Sequence, residues 1–162
     1  MTSEAQALLA DAVVAPRNGR CRTPVRRLMG HCIQAMITTT KIADRLQSTY
    51  PQLPRVVARQ GFVILPIDAD FIDSVTEARP PQSTDTFMLL TDAFQDFLRE
   101  LSHIGPVAYV ETEYFGGIGG QGAAVFSDRQ VSMEPEWGKS GPINQALEII
   151  GVRRNPLGDR FS

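Results

Sequence analysis

The sequence predicts an α+β fold, a small antiparallel sheet with helices packed on one side. Three observations carry this expectation. Residues 85–103 repeat apolar side chains at helical spacing. Residues 107–133 hold successive strand-like runs with no helix between them. Further helical patterns stand on either side, after Thr39 and after Gly141. Strands that follow one another directly pair antiparallel, and the helices then cover the sheet.

Along the chain, residues 1–35 read as a loosely ordered basic segment and residues 36–162 as a single domain. Ala5 to Ala15 suits one helix and Val25 to Gln34 a second short one, separated by Pro16, Gly19 and Pro24 as breakers. Met36 opens a more conventional sequence and is either the true start or the end of a loosely docked arm. Thr39 caps a helix with Ile42 and Leu46 inward, stopped by Pro51. Phe62 to Ile67 is an apolar strand. Asp68, Asp70 and Asp73 then read as a turn and helix cap rather than a magnesium site.

The best-defined helix runs from Asp85 to His103. Phe87, Leu90, Phe94, Phe97, Leu98 and Leu101 fall in a stripe about 100° wide, and Gly105-Pro106 ends it. Val107 to Phe115 alternates like a strand, Gly116 to Gly122 is a glycine-rich link, and two short strands meet at Ser127-Asp128-Arg129. Pro142 suits the first position of a last helix with Ile143, Leu147 and Ile150 on its apolar face. The ending Arg160-Phe161-Ser162 reads as a truncated C-terminus.

Composition excludes several function classes. The net charge is −2, with +3 on residues 1–35 and −5 on the remainder, which speaks against nucleic acid. No apolar run approaches a membrane span. Two cysteines, Cys21 and Cys32, argue for a reducing compartment, so the expected location is the cytoplasm. Cys21, His31 and Cys32 lack the spacing and the fourth ligand of a zinc site, and neither metal nor cofactor is expected.

Gly117, Gly119 and Gly122 match the dinucleotide fingerprint G-x-G-x-x-G, but the motif requires a helix to begin there, and Ala123 to Ser127 reaches a turn instead. A hairpin with glycines at positive φ is the preferred reading. The link also offers flexible backbone to a partner. Glu111 and Glu113 share one strand face, expected to be solvated. Asp85, Asp92, Asp96 and Glu100 line one side of the long helix. Two of their i, i+4 spacings set like charges together, each costing about 0.2–0.5 kcal/mol. An ordinary solvated face explains the stripe, and a docking surface for a basic partner is the functional alternative.

Tyr114-Phe115-Gly116-Gly117, Gln121, Gly141-Pro142-Ile143-Asn144-Gln145-Ala146-Leu147 and Gly151-Val152 together resemble a small bacterial domain family of immunity-protein type, over about residues 104–161. The resemblance implies an inhibitor of a toxin and no catalytic residue. The leading expectation is therefore a binding protein that docks a basic partner through Asp92, Asp96, Glu100, Gly116, Gly117, Gly119 and Gly120. The alternatives are an enzyme or nucleotide-binding subunit using Gly117–Gly122 with nearby carboxylates, and a structural or oligomer-forming domain without ligand.

Overall fold

A computed structural model describes residues 30–76, 86–116 and 118–153. Among these, six strands form one antiparallel sheet in the order β2-β3-β1-β4-β5-β6. The strands are β1 (Gly30–Thr39), β2 (Val56–Val57), β3 (Phe62–Pro66), β4 (Val107–Phe115), β5 (Ile118–Ser127) and β6 (Gln130–Gly138). The helices are α1 (Thr40–Thr49), α2 (Ala69–Val75), α3 (Asp92–Leu101) and α4 (Pro142–Ile149). The α+β class expected from the strand succession is the class observed.

The sheet's middle corrects the expected domain boundary. β1 begins at Gly30 and lies between β3 and β4, so a boundary at Met36 cuts the central strand in two. Its sequence alternates: Ile33, Ala35 and Ile37 enter one core layer while Met36 enters the other. A strand buried on both faces presents an apolar run that short windows cannot tell from helix, which is why a helix was expected over Val25–Gln34. Cys32 accordingly belongs to the sheet. The helix expected over Ala5–Ala15, Cys21 and the C-terminal residues 154–162 lie outside the described residues.

The helices cover both faces. On the first, α1, α2 and α3 press Ile42, Leu46, Phe71, Ile72, Phe94 and Leu98 onto Met36, Val63, Leu65, Val107, Tyr109 and Phe126. On the second, among the described residues, α4 presses Ile143 and Ala146 onto Ile33, Ala35, Ile37, Ala108, Val110, Ala123 and Val125. The expectation of helices on one side therefore holds for three of the four. Strands β1, β3, β4 and β5 carry apolar residues on both faces, so each face needs a cover.

α3 is shorter than the periodicity suggested. It starts after Thr91, whose side chain accepts from the Phe94 amide at 3.2 Å. Phe87 and Leu90 are buried, as their spacing implied, but from a non-helical segment leading into the helix. At the other end, Ser102 receives the amides of Asp128 and Arg129, whose φ values of 50° and 63° make the tight β5–β6 turn. Both sheet edges are blunted: β2 is two residues long, and β6 carries Glu134, Pro135 and Glu136 opposite a register shift in β5.

Candidate functional site

The site begins with the glycine-rich stretch. It is a hairpin in which the turn itself is short. Gly116, at φ 57°, turns the chain. Ile118 to Ser127 is then a full strand paired to β4, from Phe115↔Ile118 to Val107↔Phe126. Gly117 lies outside the described residues. Gly119, Gly120 and Gly122 therefore sit in β5 rather than in a loop, and an antiparallel partner takes the place of the helix that a pyrophosphate would need.

What the glycines allow is close packing. Trp137 of β6 lies across Gly120 and Gly122, with Phe87 meeting it edge-on at 5.6 Å between ring centres. A Cβ on Gly122 would stand 2.5 Å from the Phe87 ring, and one on Gly120 would stand 2.5 Å from Trp137 Nε1. The bare strand is a trough for two aromatic rings.

Beside that trough stands Glu111, expected on a solvated face and found 1% exposed. Its Oε2 accepts from the Met88 amide at 2.8 Å, and its Oε1 accepts from the Leu89 amide at 2.8 Å and from the Tyr109 hydroxyl at 2.5 Å. Three donors converge on two oxygens, which suits an acceptor-only carboxylate. Burial, then the Glu111 charge and hydrogen bond, and lastly Cys32, push the Tyr109 phenol well above its ordinary value of 10. The missed signal was available: a buried carboxylate is tolerable where consecutive backbone amides of a non-helical segment need an acceptor.

Holding residues 88 and 89 turns Phe87 inward and leaves Met88 exposed. The Met88 sulfur lies 3.5 Å from Cys32 Sγ, which also receives a hydrogen bond from Gln34 Nε2 at 2.9 Å. Cys32 is opposite Glu113, and Gly30 is opposite Phe115, in the β1–β4 register. Strand alternation puts Glu111, Glu113 and Phe115 on the same face, and the cross-strand partner of Phe115 is Ile118. Phe115 is 53% exposed and Ile118 82%. The hairpin tip is thus an exposed apolar pair at one end of the face covered by α1, α2 and α3, with Met88 farther along that face and exposed Glu113 between them in register.

The acidic stripe is only partly the surface expected. Asp92, Asp96 and Glu100 are all exposed along α3. However, Asp96 is paired with Arg99 at 2.7 Å and Glu100 with Arg129 at 3.2 Å. Glu100 lies by the β5–β6 turn, away from the hairpin tip, while Asp92 begins the helix four residues after Met88. The structure therefore brings Asp92 towards the Gly116 end and separates Glu100 from it. Asp85 lies outside the described residues. Among the described residues no group of three His, Cys, Asp or Glu side chains could hold a metal ion, and no helix is long and apolar enough to cross a membrane. Phe115, Ile118 and Met88 were missed in the sequence, although two apolar residues flanking a glycine turn, where polar residues are the rule, are a legible signal.

The chain matches no family model, no curated protein and no solved structure.

Proposed function

We propose that this protein is a cytoplasmic binding protein that docks a protein partner through the β4–β5 hairpin tip. Phe115 and Ile118 insert as the apolar anchor, and Glu113 and Asp92 form an acidic border. The observation that carries this is the exposed Phe115–Ile118 pair at the β4–β5 turn, where a freestanding domain would place polar residues. Glu113 and Asp92 make no ion pair with another described residue, so the complementary partner presents an apolar pocket with basic side chains around it. Blocking such a pocket is the action of an immunity-type inhibitor, the role that the resemblance of residues 104–161 implies.

The test is affinity capture from the native host with three versions of the chain. The original and a Val57→Ser variant retain one and the same partner, because Val57, though 72% exposed, lies on the far edge strand. Phe115→Ser with Ile118→Ser loses it. Retention of that partner by the double variant overturns the reading.

A further inference from the structure

At the end of the sheet away from the hairpin tip, α1 begins where β1 stops, and the turn after α3 crosses it. The Thr38 hydroxyl donates to the Pro106 carbonyl at 2.9 Å there, fixing the two segments together. Between them is a cleft of about 510 Å³ lined by Lys41, Arg45, His103 and Ile104. We infer that this cleft binds a small organic phosphate.

Lys41 and Arg45 are four residues apart on α1, on one face, where like charges repel. The acid between them, Asp44, does not serve them, because it is held by Arg55 at 2.5 Å. Neither cation forms an ion pair with another described residue. The third polar group is His103. Its Nδ1 lies 2.6 Å from the Glu100 carbonyl oxygen, which can only accept, so Nδ1 carries the proton and Nε2 is the ring's remaining polar atom. Glu100 itself turns its carboxylate to Arg129. Three nitrogen-bearing side chains from two segments thus border one cleft, and no carboxylate among the described residues neutralises Lys41 or Arg45.

The backbone adds to the same sign. The first turn of α1 contains no acidic residue, the Thr39 side chain makes no capping bond, and Lys41 adds positive charge where the helix dipole is already positive. A dianion relieves all of these at once. The guanidinium fork of Arg45 and the ammonium of Lys41 offer donors for a tetrahedral group with several oxygens, and His103 Nε2 adds a third donor only when the ring carries a second proton. The cleft is open on one side and wider than a bare ion, and half-buried Ile104 supplies an apolar wall for the organic part.

This site is independent of the hairpin tip and can be tested alone. The full chain, labelled in its imidazole rings, is titrated with phenyl phosphate and with inorganic phosphate, and with acetate and chloride as controls at matched ionic strength and fixed pH. The chain has two histidines, so His31 serves as the internal reference. The expected result is a saturable shift of the His103 resonances with both phosphates, tighter for phenyl phosphate. Lys41→Ala with Arg45→Ala, both exposed positions that leave the core intact, should weaken binding about tenfold or more. Any of three results overturns the assignment: His103 shifting no more than His31, acetate or chloride reproducing the shift, or the double variant binding as tightly as the original. Phenyl phosphate binding more weakly than inorganic phosphate likewise overturns the claim of an organic ligand.

Discussion

Replacing Glu111 by Gln changes two atoms' chemistry and almost nothing of the shape. If the amide oxygen takes the place of Oε1, it still accepts from Leu89 and Tyr109. The amide nitrogen then faces the Met88 amide, donor against donor. Flipping the group spares Met88 and strands Leu89. Either way a hydrogen bond to a charged acceptor is lost, about 1.5–3 kcal/mol, against which stands the relief of a buried charge. The net loss should be about 2 kcal/mol for Glu111→Gln. It should be about 3–4 kcal/mol for Glu111→Ala, which also leaves the fully buried Tyr109 hydroxyl without its acceptor. Urea unfolding measures the global term. The single tryptophan supplies a local one, because Phe87 directly precedes Met88 and packs against Trp137. Loosening residues 87–89 should shift Trp137 emission to longer wavelength and speed exchange of the Met88 and Leu89 amides. A Glu111→Gln protein within about 0.5 kcal/mol of the original, with unchanged emission, would refute the claim that this carboxylate holds the segment.

Gly122→Ala should destabilise by about 1–3 kcal/mol, because its methyl enters the Phe87 and Trp137 rings, as melting curves would show. A chain starting at Met36 removes six of the nine β1–β4 partner pairs, together with buried Ile33 and Ala35. That loss should exceed a typical stability of about 5–15 kcal/mol and abolish the cooperative unfolding transition seen by circular dichroism. Raising the pH should weaken the fold through Tyr109. Its phenol is held protonated in the native state beyond the value at which the unfolded chain releases its proton. This contribution is therefore complete below about pH 10 and declines above it by about 1.4 kcal/mol per unit until the native phenol ionises. In Tyr109→Phe, urea unfolding between pH 9 and 11 should show a correspondingly smaller decline.

Much of the fold was legible where periodicity and punctuation agreed. Phe94 and Leu98 marked α3, Pro142 opened α4, and Asp68 capped α2 as its residue type suggested. What was not legible depends on partners distant in sequence. Ile33 to Ile37 became strand because β3 and β4 flank it, which no local window records. Phe87 and Leu90 kept helical spacing without helix because Glu111, more than twenty residues away, draws the Met88 and Leu89 amides out of the helical pattern. The glycine run misled for a related reason. Its spacing mimics a nucleotide loop, whereas its packing role depends on the Trp137 and Phe87 rings that need a strand without side chains. Asp92, Asp96 and Glu100 are exposed as expected, but Arg129 reaches Glu100 only because the β5–β6 turn folds against Ser102.

The central claim is that the hairpin tip is the contact surface, and site-specific photocrosslinking in living cells tests it most directly. A photoreactive residue replaces Ile118 in one strain and Val57, also exposed but on the edge strand β2, in another. The account predicts a covalent adduct with one protein from position 118 and none from position 57, with loss of the adduct when Phe115 is also changed to Ser. No adduct from position 118, or the same adduct from both positions, would contradict it.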